Sequence, residues 1–177
     1  MNVSVFFRYF CLLLVGLMAG SSFAFVLGMG PAMENLSAAA YIELHQNLDP
    51  AFSAWNPLLY FILTVTIVAN LFLLREEWKS LEFLLVLFAL ICVLDELLMT
   101  WTGNLPLSRA VHDWQMLAPP TNWAEVRSQW LRFMYIRSAL LVSSFGLLLA
   151  SSFFMKQSRA SRSNVFVVSS ELQNLPL

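Results

Sequence analysis

The sequence predicts an all-α protein, a bundle of four transmembrane helices with a short amphipathic helix in the first outer loop. Three observations carry that expectation. Hydrophobic residues make up 59% of the 177 residues and charged residues 12%, against roughly 45–50% and about 25% in soluble domains. Four apolar runs are each long enough to cross the hydrocarbon core, which takes about 20 residues with a range of roughly 17–25. Lys and Arg gather in alternate connecting segments, as they do in multi-pass membrane proteins.

The first run, 6–29, opens near Arg8 and ends before Gly30-Pro31, a pair expected to stop a helix. Ser22-Phe23-Ala24 has the small-x-small form of a signal-peptide cleavage site. Apolar character nevertheless continues to Met29, and Gly16, Gly20, Ala24 and Gly28 recur every four residues. Such a stripe suits close helix packing, so a retained helix is expected. Ser37 then caps a predicted short helix to about Leu48. On it Tyr41, Leu44, His45 and Leu48 share one amphipathic face.

The second span, 57–74, has Asn56 as its expected cap and Pro57 at its first position. The third, 81–101, carries Asp95 and Glu96 near its end. Asn104 to Pro106 is predicted to be a tight connection out of it. Pro119-Pro120 marks another break, after which Thr121 and Asn122 lead into a helix from Trp123 that enters the fourth span, 130–155. Trp101, Trp114, Trp123 and Trp130 belong near one interface, where Trp is enriched. Residues 1–156 thus read as one membrane domain. Residues 157–177, polar, Ser-rich and basic at their start, read as a flexible cytoplasmic tail.

Arg8, the pair Arg75 and Lys79, and the trio Lys156, Arg159 and Arg162 mark one side of the membrane. The segment 30–56 has no Lys or Arg, and 102–129 has only Arg109 and Arg127. Both termini are therefore expected in the cytoplasm and the two longer loops outside, with a bacterial inner membrane as the setting. The net charge of −1 excludes an electrostatic nucleic-acid binder. Cys11 and Cys92 sit in apolar runs and read as buried free thiols. His45, Asp49, His112 and Asp113 could offer nitrogen and oxygen ligands, but no spacing among them is diagnostic, so neither a metal nor a cofactor is expected.

Asp95 and Glu96 lie six and five residues before Trp101, and Arg137 lies seven after Trp130. At about 1.5 Å per residue, all three sit roughly 8–10 Å inside their Trp anchors. A charge at that depth is normally paired or faces a cavity. Arg137 is therefore expected to pair with Asp95 or Glu96. The two acids are roughly 100° apart around a helix, so one pairs while the other faces water. Trp130, Met134, Arg137 and Ser144 share one face of the fourth helix, which is expected to point inward, while Arg132 snorkels.

Gly16-Leu-Met-Ala-Gly20, Phe23-Ala-Phe25 and Pro31-Ala32 resemble the first helix of the anthrone oxygenase-like membrane proteins. Asn104-Leu-Pro-Leu107 resembles that family's Asn-x-Pro-Leu-Asn turn, and Trp123, Trp130 and Arg137 its closing Trp…Trp…Arg pattern. The resemblance runs from about Gly16 to Ala150. Ser108 stands in place of the final Asn of the turn, and Phe133-Met134-Tyr135 in place of a frequent Trp-Asn-His beside the arginine. The resemblance implies a small four-helix membrane protein. Characterised fungal members oxidise anthrones to anthraquinones with molecular oxygen and no bound cofactor. By that likeness, Arg137 would steady an enolate, and Asp95 or Glu96 would be the base. Asn104, Trp130, Tyr135 and His45 are the candidate substrate-binding residues around an apolar outer-side pocket for a small lipophilic, quinone-like ligand. The alternative is a non-catalytic membrane protein that binds a partner or ligand, with the ion pair structural. The expected partners are the lipid bilayer and that small ligand. Self-association into a homo-oligomer could use the small-residue stripe. Transport fits less well, since four helices leave little room for an alternating site.

Overall fold

The computed structural model describes the backbone of residues 3–173 and the side chains of 5–48, 50 and 54–154. Helix α1 (Val3–Ala24) passes through a π-turn (Phe25–Met29) into α2 (Gly30–Glu34). Helix α3 (Ala38–Leu73) ends at a 3₁₀ turn (Arg75–Glu77). Helix α4 (Leu81–Met99) continues through a second π-turn (Thr100–Asn104) into α5 (Leu105–His112), and α6 (Trp123–Gln173) closes the chain. Among the described residues four stretches are long and apolar enough to span a membrane: Val5–Glu34, Ala54–Leu73, Leu81–His112 and Trp123–Phe154. The all-α, four-span bundle is therefore the fold.

The helix starts are local chemistry. The Ser37 hydroxyl accepts the Ala40 N–H and the Ser80 hydroxyl accepts the Phe83 N–H, each satisfying a donor that a helix start leaves orphaned. The break expected at Pro119-Pro120 falls between α5 and α6, but two other expected breaks do not occur. Gly30-Pro31 and Asn104-Leu105-Pro106 lie within continuing helix. Each proline follows a π-turn, in which Gly30 N–H bonds Phe25 O and Leu105 N–H bonds Thr100 O. The wider turn absorbs the missing proline donor and the clash of its ring with the preceding turn.

The first-loop helix is also not separate. Residues 38–73 form one helix with Pro50 and Pro57 inside it, so Asn56 is not a cap. A proline costs a helix interior about 3 kcal/mol. Packing at both ends offsets that cost: Tyr41, Ile42 and His45 are buried at one end, and Tyr60, Leu63 and Ile67 at the other. Along its backbone α6 extends to Gln173, through most of the segment expected as a flexible tail. Its side chains beyond 154, like that of Asp49, lie outside the described residues.

The helices form a ring in the order α1, α3, α4, α6, with α4 against α6 the most extensive pair. On α4 the buried residues are Glu82, Val86, Ala89, Val93 and Glu96. Their alternating spacing of four and three is the 3.5-residue seam of a left-handed bundle. On α3, Tyr60, Leu63, Ile67 and Asn70 repeat it. The outward faces hold Phe61, Phe72, Leu84, Phe88, Ile91 and Leu98, as lipid contact requires. Of the expected glycine stripe, Gly16 packs on Phe145, whereas Gly20 and Gly28 face open space.

Candidate functional site

Glu96 lies on the α4 seam and is fully buried. Arg137 Nε on α6 donates to its Oε1 at 2.7 Å. Arg137 Nη1 donates to Oδ1 of Asn104 at 3.2 Å and lies 3.1 Å from Sδ of Met134. Asn104 donates in turn from Nδ2 to the Trp130 carbonyl at 3.0 Å, and the Trp130 indole donates to the Ser108 hydroxyl at 2.9 Å. Thr100 donates to the Glu96 carbonyl and stands 3.3 Å from Oε1. The Tyr60 hydroxyl, from α3, lies beside both the Glu96 carboxylate and the Arg137 guanidinium.

The π-turn at 100–104 makes this network. It turns Gly103 and Asn104 into the bundle, where both are buried. Gly103 is required there, because a Cβ would stand 2.6 Å from the Phe133 ring. Phe133 is thus packed against the turn that carries Asn104.

Four of the sequence-predicted residues come together: Arg137, Glu96, Asn104 and Trp130. His45 is 2% exposed and meets the Trp130 ring edge-on at 4.7 Å, with Tyr41 at 4.6 Å on its other side. Tyr135 stands apart. Its ring lies 6.2 Å from Phe25, its hydroxyl donates to Glu34 at 3.3 Å, and it does not reach Arg137. Of the two acids expected as alternatives, Glu96 pairs and Asp95 is exposed, because one residue of helix rotates Asp95 off the seam that Glu96 occupies. Among the described residues no group of three His, Cys, Asp or Glu could hold a metal ion.

Sequence reasoning passed over Tyr60, Thr100 and a second buried pair. Arg8, read as a flanking cation, is 6% exposed and bonded to Glu82 at the opposite end of α4. The signal was present: Tyr60 follows Trp55 by five residues, the depth at which Glu96 precedes Trp101. Glu82 and Glu96 are fourteen residues apart, two full seven-residue repeats of the seam.

The arrangement has one chemically open end. Oε1 of Glu96 is held by Arg137, whereas Oε2 is buried with no hydrogen-bond partner among the described residues. A buried carboxylate oxygen of that kind can accept a proton, and the cation beside it can balance charge formed nearby.

The family model described as anthrone oxygenase matches residues 50–147, more than half of the chain. The match takes in α3 from Pro50, all of α4 and α5, and α6 as far as Leu147. It includes the whole network around Glu96, while α1 and α2 lie outside it. No curated protein and no solved structure matches the chain.

Proposed function

From the premise that the chain belongs to the anthrone oxygenase family, we propose that it oxidises a small lipophilic aromatic substrate at the Glu96–Arg137 site. The observation that carries the reading is the buried carboxylate with one oxygen held and one unpartnered. In the proposed reaction Glu96 Oε2 takes a proton from an acidic CH₂ flanked by aromatic rings. Arg137 and Tyr60 balance the enolate that remains. The carbanion reduces dioxygen, the co-substrate. The CH₂ becomes C=O, and the second oxygen atom leaves as water with the two hydrogens. Asn104 holds Arg137 in place, and Trp130 and His45 wall the site. The site end of the bundle faces outward and both termini face the cytoplasm, in keeping with the distribution of Lys and Arg.

A second reading is favoured by how Arg137 is spent. Its Nε and Nη1 are already used within the bundle, on Glu96, Asn104 and Met134. In that case the pair clamps α4 to α6 and the protein binds a ligand or partner without chemistry. Oxygen uptake with a panel of anthrones and hydroquinones separates the two. The enzymatic reading expects turnover in the wild type that Glu96→Gln abolishes while the variant remains folded. No uptake by folded wild type with any member of the panel would sink it.

A further inference from the structure

A cleft of about 230 Å³ opens on the surface between α2 and the start of α6, away from the Glu96 network. Glu34 forms one wall. Ala124, Arg127, Ser128, Leu131, Arg132 and Tyr135 form the other, on one face of α6. The cleft has a definite depth. Glu34 is the last residue of the first apolar span, and Trp123, beside Ala124, is the first residue of the fourth. These stretches are 30 and 32 residues long, beyond the about 20 that cross the hydrocarbon core, so a cleft at their ends reaches the level of lipid headgroups.

Its charges are unbalanced. Arg127 donates from Nη1 to the carbonyls of Leu36 at 2.8 Å and Met33 at 3.4 Å, and stacks on Trp123 at 4.7 Å. All of these partners are neutral, so its charge stays uncompensated. Arg132 is exposed and has no hydrogen bond or ion pair among the described residues. Among the described residues Glu34, also exposed, accepts only from the Tyr135 hydroxyl. Two guanidinium groups thus face one carboxylate, and each side keeps capacity for a ligand. At about 230 Å³ the cleft is smaller than the roughly 300–1,000 Å³ of sites that enclose drug-sized molecules. It suits a headgroup whose tails lie outside.

We propose that this cleft binds the phosphodiester headgroup of a membrane lipid. Arg127 and Arg132 hold the phosphate. Glu34 accepts from a hydroxyl or ammonium donor on the same headgroup. The site is independent of the reaction at Glu96, and the inference does not rest on that reading.

The test measures thermal stabilisation of purified protein in detergent by soluble short-chain lipids, since a ligand that binds the folded state raises the unfolding temperature. The probes are dihexanoyl phosphatidylglycerol, phosphatidylethanolamine and phosphatidylcholine, with inorganic phosphate as a separate arm. The glycerol and ethanolamine lipids are expected to stabilise the wild type, and the choline lipid, which has no donor for Glu34, to bind about tenfold more weakly. Arg132→Gln, an exposed change that spares the fold, is expected to weaken binding of all three about tenfold. Glu34→Gln is expected to narrow the gap between the choline lipid and the others. Equal stabilisation of wild type and Arg132→Gln would overturn the proposal. So would stabilisation by inorganic phosphate as strong as by the lipids, which would mark a free-anion site.

Discussion

Arg137 on α6 donates from Nε to Oε1 of Glu96 on α4 at 2.7 Å, and the glutamate is fully buried. Removing one partner of such a pair leaves the other as an uncompensated buried charge, at a cost of about 3–5 kcal/mol. Glu96→Gln and Arg137→Gln should each lower stability by that order, and the double variant by clearly less than the sum. Unfolding measurements on all four proteins in one detergent read the coupling. Additive losses would mean that the two groups do not interact.

The pair Arg8–Glu82 lies at the other end of the same seam, about 21 Å from Glu96 at 1.5 Å per residue. Sites that far apart with no shared partner add. Glu82→Gln should therefore destabilise to the same degree in wild type and in Arg137→Gln. It should also leave oxygen uptake unchanged wherever the protein stays folded. Loss of uptake in folded Glu82→Gln would show that the two ends communicate.

A Cβ added at Gly103 would stand 2.6 Å from the Phe133 ring, and the crowding reaches the near atoms of the ring. Gly103→Ala should cost about 1–3 kcal/mol, the usual range for overpacking. Phe133→Leu should recover part of that loss in the Gly103→Ala background while being mildly destabilising alone. Absence of rescue would place the strain in the backbone instead.

Pro57 is exposed and lies inside α3. Pro57→Ala restores a backbone donor and relieves the ring clash in the preceding turn. It should raise the unfolding temperature, by an amount up to the ~3 kcal/mol that separates Pro from Ala in a helix. A lower unfolding temperature would show that the bundle depends on the bend.

The proposed side of the membrane rests on the distribution of basic residues. A cysteine placed at Glu43 should react with an impermeant thiol reagent added outside intact cells, and one placed at Glu76 should not. The reverse pattern would invert the proposed orientation.

The depth of the site was readable because Trp130 and Trp101 act as fixed marks from which Arg137 and Glu96 could be counted inward. Which acid pairs was also encoded, since Glu96 completes the seam through Glu82, Val86, Ala89 and Val93 whereas Asp95 does not. Choosing required the bundle to be read as a 3.5-residue repeat and not as isolated apolar runs. The continuity of the helices was harder. Gly30-Pro31, Asn104-Leu105-Pro106 and Pro57 carry local stop signals, and packing between distant residues overrides them. Asn104 was marked as a turn residue, yet its place beside Arg137 depends on a π-turn that no local pattern announces. Tyr60 reaches the site from a third helix, so only the ring order of the bundle brings it there.

A π-turn closes on the fifth residue, so it holds one residue more than the α-turn it replaces. The turn at 100–104 therefore behaves as a single-residue insertion in an otherwise regular helix. Were the same residues to close as regular α-helix, the extra residue would no longer be absorbed and everything after it would swing by about 100°. Asn104 would leave Arg137, Ser108 would leave Trp130, and α5 would lose its seat on α3. Deleting one residue, by contrast, would remove the wide turn and leave α5 facing much as it does. Chain length and turn width at this point are thus matched to each other, and the site assembles only when they agree.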